Sequence, residues 1–217
     1  MTKELEGLVH IDALGARLEG SLTIPKHAEG IVLFAHGSGS SRKSPRNNFV
    51  AEILHASCLA TLLIDLLTRD EDRSYETRFD IDLLSDRLVS ATRWLAEEDS
   101  TKGLVVGYFG ASTGAAAALQ ASISAAVPIG AIVSRGGRPD LAEPCLSKVK
   151  APTLLVVGAK DEIVLGLNKK AYAMLNAPKD LVVVPGATHL FEEQGTLEAV
   201  ADLAASWFKK YLHPVTV

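Results

Sequence analysis

The 217-residue sequence predicts an α/β protein, a doubly wound and mostly parallel sheet of about eight strands with an N-terminal antiparallel hairpin and no cap domain. Three observations predict it. Apolar and polar residues alternate along Leu5 to Ile11 and along Arg17 to Ile24, on either side of Asp12-Ala13-Leu14-Gly15, as in a hairpin with one buried face. Continuous apolar runs such as Gly30-Ile31-Val32-Leu33-Phe34-Ala35 then recur, which suits central strands covered on both faces. Between the runs lie stretches with apolar residues at helical spacing, and strands that alternate with helices build a parallel sheet.

In order, the hairpin supplies edge strands, and the run at 30–35 ends in His36-Gly37-Ser38-Gly39-Ser40-Ser41. Ser44-Pro45 reads as an N-cap with proline at the first helical position, followed by Phe49, Val50, Ile53 and Leu54 at helical spacing. Leu59 to Leu66 reads as a buried strand, and Leu67 to Phe79, with Asp70-Glu71-Asp72-Arg73, as a surface loop whose charges are solvated. Asp80 can cap a helix with the stripe Ile81, Leu84, Leu88, Ala91 and Leu95. A strand from Val105 meets Gly110-Ala111-Ser112-Thr113-Gly114, and a helix of small residues runs on to Val127, closed by Pro128. Ile129 to Ser134 and Pro152 to Val157 are the next strands, with helix expected over 140–149 between them and over 164–175 after them. Leu181 to Val184 is the last strand, and Thr196 is expected to cap a final helix striped by Leu197, Val200, Leu203, Ala204, Trp207, Phe208 and Tyr211.

Composition narrows the function. Hydrophobic residues make up 47% and charged ones 22%, with no linker-like break, so one domain over residues 1–217 is expected. The net charge of -4 is spread without a basic stripe, which argues against nucleic acid as a partner. Met1 to Glu6 lacks a signal-peptide core and no apolar run approaches the ~20 residues of a membrane span, so a cytoplasmic protein without a membrane partner is expected. Cys58 and Cys145 show neither metal-site nor disulfide spacing, so no metal is expected.

The chemistry centres on the G-x-S-x-G at 110–114, where an apolar strand turns sharply into a helix and leaves Ser112 at the turn with its hydroxyl exposed. A Gly-rich turn whose serine merely caps a helix would share these letters. What separates the two readings is the order downstream. Asp161, in Gly158-Ala159-Lys160-Asp161, and His189, in Gly186-Ala187-Thr188-His189, each follow an apolar strand, and ligands of doubly wound sheets bind at that edge. Glu162 is the alternative acid. A serine hydroxyl needs a base to take its proton as it attacks, and a histidine oriented by a carboxylate is such a base. His10, His27, His36, His55 and His213 read as surface or core residues, with His36 a hydrogen-bonding brace under the loop that follows it. Ser40, Ser41 and Ser134 read as loop hydrogen-bonders.

With these features the chain resembles the α/β-hydrolase superfamily over nearly its whole length, and within it the small, cap-less dienelactone hydrolase-like branch. One departure is plain: dienelactone hydrolases commonly carry cysteine where this chain has Ser112. The resemblance implies a serine esterase or lactonase that works on a small ester through an acyl-enzyme and needs no cofactor. It also implies an oxyanion hole made by the backbone N–H groups of Thr113 and Ser38. Acyl transfer to an alcohol would use the same residues, and a non-catalytic binding or regulatory domain of this fold is a further alternative. A haloalkane dehalogenase, which needs aspartate at the elbow, is excluded by Ser112.

Arg135 follows directly on the strand ending at Ser134, at the same sheet edge, with Arg42, Arg46 and Arg73 in or beside neighbouring loops. A guanidinium there could bind an anionic ester or lactone, a substrate type that the resemblance also implies. Alternatively it pairs with Asp65 or Asp140 and braces the loop.

Overall fold

The computed structural model describes residues 3–213, so the expected domain, residues 1–217, extends beyond them at both ends, and Met1 and Thr2 lie outside them. An eight-stranded sheet runs through the molecule in the order β1-β2-β4-β3-β5-β6-β7-β8. The hairpin is β1 (Lys3–Ala13) and β2 (Ala16–Pro25), closed by Leu14 and Gly15 at φ 50° and 77°, the two positive values that a primed turn requires. β2 also pairs antiparallel with β4 (Leu59–Ile64), and all later neighbours pair parallel: β3 (Gly30–Ala35), β5 (Val105–Ala111), β6 (Ile129–Arg135), β7 (Thr153–Gly158) and β8 (Lys179–Val184).

Helices cover both faces. Along β3, Ile31, Leu33 and Ala35 join one apolar cluster and Val32 and Phe34 the other, which explains why a strand with period-2 geometry reads as an unbroken apolar run. The first cluster is shared by α3 (Ile81–Glu97), α4 (Thr113–Ser124) and α5 (Glu162–Met174), the second by α1 (Pro45–Ala56) and α6 (Thr196–Tyr211). Ser44 caps α1 by accepting the Asn47 N–H, and Asp80 caps α3 by accepting the Leu83 N–H.

Several expectations need correction. The segment 67–79 is not a plain solvated loop: it forms a 3₁₀ turn at Glu71–Arg73 and the short α2 (Tyr75–Arg78). Two of its charges are held by partners, Glu71 by the buried Arg87 and Asp72 by Arg78, while Asp70 and Arg73 pair with each other at the exposed surface as expected. The stretch expected as helix at 140–149 is 3₁₀ over Pro139–Lys148 with a kink at Ala142, because Pro144 lacks the N–H that an α-helix would use. Thr196 is not a cap; Gly195 takes that place in the left-handed conformation, and the Thr196 hydroxyl donates to the Glu193 carbonyl at 2.7 Å. α4 ends at Ser124, β4 at Ile64, and β8 begins two residues earlier than its apolar run, on the polar Lys179 and Asp180 of an edge strand.

Candidate active site

β5 ends one residue before Ser112, whose backbone stands at φ 52° and ψ -119°, a conformation that costs a non-glycine residue of order 1–3 kcal/mol and persists only where its surroundings fix it. Several contacts do so. The Ser112 N–H donates to the Arg135 carbonyl at 3.3 Å, and the Ser112 carbonyl accepts the N–H groups of Ala115 at 3.1 Å and Arg138 at 3.0 Å. The flanking glycines are required by close approach. A Cβ on Gly114 would lie 2.5 Å from the His36 carbonyl oxygen, and one on Gly110 would lie 2.7 Å from the Ala115 nitrogen. The turn therefore presses α4 onto the end of β3 and holds Ser112, half-buried, above the sheet.

Asp161 and His189 come from the loops after β7 and β8. Their side chains meet, His189 Nδ1 lying 2.6 Å from Asp161 Oδ2, while Glu162 begins α5 and is exposed. With the carboxylate accepting at Nδ1, the proton of the neutral ring belongs on Nδ1, leaving Nε2 a free lone pair. A cleft of about 230 Å³ brings Ser112 and His189 together with Ser38, Arg46, Arg135 and Leu190. Asp161 sits behind His189, its side chain 14% exposed against 39% for the imidazole.

The loop after β3 forms the opposite wall. A Cβ on Gly37 would lie 3.1 Å from both the Ser112 Cβ and the Ala111 carbonyl oxygen, so this loop runs along the elbow. Ser38 is exposed at its crest, and Thr113 is the first residue of α4, where N–H groups have no partner within their helix. His36 braces the loop from beneath. Its Nδ1–H donates to the Gly37 carbonyl at 2.9 Å and its Nε2 accepts the Leu66 N–H at 2.9 Å. That arrangement needs a neutral ring, and burial pushes the His36 pKa below its ordinary value. One layer further back, Arg87 donates to the Leu66 carbonyl at 2.7 Å and to both Glu71 oxygens, holding the Glu71 carboxyl down at about 2. This brace could not be read from the sequence, where Arg87 and Glu71 are sixteen residues apart.

Arg135 closes β6 and is 8% exposed. The acids considered as its partners are engaged elsewhere: Asp65 accepts the Arg42 N–H at 2.6 Å, and Asp140 pairs with Arg138 at 2.7 Å. Among the described residues no carboxylate forms an ion pair with Arg135, and its buried Nη1 has no hydrogen-bond partner. Of the other arginines expected at this edge, Arg46 lines the same cleft and pairs with Glu192 at 2.9 Å. Arg42 is buried against Glu19 and Asp65, and Arg73 pairs with Asp70 at the surface. Ser41 Oγ accepts the Lys43 N–H, but Ser134 Oγ, expected to hydrogen-bond, is buried without a partner among the described residues. Cys58 and Cys145 are half-buried free thiols. Among the described residues no group of three or more His, Cys, Asp and Glu is placed to hold a metal ion, and no helix is long and apolar enough to cross a membrane.

No protein-family model matches the chain. It is 54% identical to a dienelactone hydrolase from Anabaena variabilis, whose crystal structure superposes with a TM-score of 0.94 over 96% of this chain and 99% of that one. Est1E from Butyrivibrio proteoclasticus, also solved with ferulic acid bound, shares the fold at 18% identity and a TM-score of 0.80, over 94% of this chain and 98% of that one. In two strains of Mycobacterium tuberculosis, proteins named "Putative phosphoribosyl transferase" are 58% identical over 193 residues, 89% of this chain. The chain spans 44% of the length of those relatives.

Proposed function

Because the chain belongs to the dienelactone hydrolase family of the α/β-hydrolase fold, we propose that it is a serine hydrolase cleaving small carboxylic esters or lactones through an acyl-enzyme. The observation that carries this reading is the meeting, in one cleft, of a serine in a strained strand-to-helix turn and a histidine bonded through Nδ1 to a carboxylate.

In this mechanism Ser112 Oγ attacks the acyl carbon while His189 Nε2 takes its proton; the same proton then goes to the departing alkoxide as the ester C–O bond breaks. Asp161 fixes the imidazole tautomer and stabilises the imidazolium. The oxyanion of each tetrahedral intermediate is met by the N–H groups of Thr113 and Ser38, the former reinforced by the positive end of α4. Water, activated by His189, then opens the acyl-enzyme. The phosphoribosyl transferase name describes proteins more than twice as long as the stretch they share with this chain, and the reading offered here concerns that stretch.

The test is steady-state hydrolysis of short 4-nitrophenyl esters by the native chain, Ser112→Ala, His189→Ala and the double variant. Triad members act as a unit, so each single substitution is expected to lower kcat by about 10⁴-fold or more and the double variant to lose little beyond either. Additive losses, or activity that survives Ser112→Ala, would overturn the assignment.

A further inference from the structure

We propose that Asn168 is a positioning residue: one buried hydrogen bond from its side chain ties the turn at 135–138, which touches both Ser112 and His189, to the helix that starts behind Asp161, and so sets the alignment of the serine hydroxyl with the imidazole. The proposal rests on the hydrolase reading, since that alignment matters only where His189 takes the Ser112 proton.

Asn168 lies on α5 and is fully buried. Asparagine is mostly an exposed residue, and a buried amide is kept where its hydrogen bonds offset the lost hydration. The Asn168 Nδ2 donates to the Val164 carbonyl at 2.8 Å, a bond back along its own helix. It also donates to the Gly137 carbonyl at 2.9 Å, which belongs to another part of the chain, 31 residues away. Its Oδ1 is buried without a partner among the described residues. An apolar side chain of similar shape would fill this place without leaving a polar atom unsatisfied, so packing alone does not call for asparagine. What the amide supplies, and an apolar side chain could not, is the tie to Gly137.

The turn it holds is where the two reacting side chains are registered against each other. The Arg135 carbonyl accepts the Ser112 N–H at 3.3 Å and the Arg138 N–H donates to the Ser112 carbonyl at 3.0 Å, so the turn grips the nucleophile's backbone on both sides. Between these two residues Gly136 stands at φ 51° against His189: a Cβ there would lie 3.2 Å from the His189 carbonyl oxygen and 3.5 Å from ring atoms Cε1 and Nδ1. The Gly136 N–H donates to the Val156 carbonyl at 2.8 Å, on the strand that leads to Asp161. Gly137 is closely packed as well, since a Cβ on it would lie 2.7 Å from the Ala115 Cβ, so the turn has no slack on that side. The Asp161 carbonyl accepts the Leu165 N–H at 2.8 Å, so the helix that carries Asn168 also anchors the acid that orients His189. Serine, histidine and acid are thus all referred to one short stretch of backbone, and Asn168 is the side chain that fixes it.

The experiment compares the native chain with Asn168→Leu, which keeps the approximate volume and removes the donor, and with Asn168→Ala, each first shown to be folded by circular dichroism at the assay temperature. On 4-nitrophenyl acetate kcat is expected to fall about tenfold or more with KM held within about twofold, since a displacement of ~1 Å in reacting groups costs as much as ~10²-fold in rate. The discriminating readout is the rate at which a fluorophosphonate labels Ser112, in the native background and in His189→Ala. Asn168→Leu is expected to slow labelling about tenfold in the first and less than about twofold in the second, where the alignment is already lost. An equal factor in both backgrounds, or a fall in kcat/KM carried by KM alone, would assign Asn168 to general structure and overturn the proposal. Gly136→Ala crowds His189 without touching Asn168 and is expected to reproduce the fall in kcat. It carries the comparison if neither Asn168 variant folds, and full activity in it would overturn the proposal. A native chain that neither cleaves the ester nor takes the label on Ser112 would remove the hydrolase reading and the proposal with it. Labelling of the native chain at a rate unchanged in Asn168→Leu would remove the proposal alone.

Discussion

Glu71→Gln is the substitution whose cost follows most directly from the structure. Glu71 accepts from both terminal nitrogens of Arg87 at 2.6 and 2.7 Å and from the Thr68 N–H and hydroxyl, each at 2.8 Å. These contacts, Arg87 foremost, bring its carboxyl from 4.5 to about 2. A carboxyl whose folded value is depressed contributes stability above its unfolded value and loses it as the pH falls toward the folded one, here from 4.5 toward about 2. Taken directly, a shift of this size is ~3 kcal/mol. Because a third of the Glu71 side chain is exposed, screening reduces this to about 1.5 kcal/mol. The variant also leaves Arg87, with a side chain only 2% exposed, without its counter-charge, so the expected loss at pH 7 is about 2–3 kcal/mol. That corresponds to a fall in Tm of roughly 4–12 °C for a domain of this size. The assay is guanidinium denaturation of both proteins at pH 7 and pH 3. The gap should shrink markedly at pH 3, where the native chain has surrendered about half of its own contribution. A gap of equal size at both pH values would refute the reasoning.

Three further outcomes follow from the site. Ser112→Gly should abolish esterase activity yet leave the fold at least as stable, by up to about 1 kcal/mol in denaturation, because glycine relieves the positive φ while adding chain entropy to the unfolded state. His36 is held neutral by burial, so its folded pKa lies below the unfolded one. Its contribution is present above about pH 6.5 and is lost as the pH falls below that, and in His36→Asn the decline in denaturation midpoint between pH 7 and 5 should be shallower. Over a series of 4-nitrophenyl esters the cleft of about 230 Å³ predicts that kcat/KM peaks at short acyl chains; a rate that climbs steadily with chain length would contradict it.

The layered α/β architecture was legible because burial on both sheet faces leaves unbroken apolar runs, and Ser44 and Asp80 announced the starts of α1 and α3. Ser112, Asp161 and His189 could be placed at one sheet edge because parallel strands all point their carboxyl ends the same way. Within segment 67–79 the pairing of Glu71 was not legible, because Arg87 comes from the next helix and meets it only in the folded chain, whereas Asp70 and Arg73 are exposed as their sequence suggests. Gly195 displaced Thr196 as the cap of α6 because a left-handed residue ends the preceding turn there. For Arg135, the sequence left open a pairing with Asp65 or Asp140, and only the fold showed both acids engaged by other arginines.

The proposed mechanism stands or falls on one reactive hydroxyl. Treating the native chain with a fluorophosphonate, followed by intact mass and peptide mapping, tests it most directly, because only a serine activated beside an oxyanion hole reacts quickly. One adduct is expected, on Ser112, absent in Ser112→Ala and much slower to form in His189→Ala. An adduct on another residue, or none on the folded chain, would contradict it.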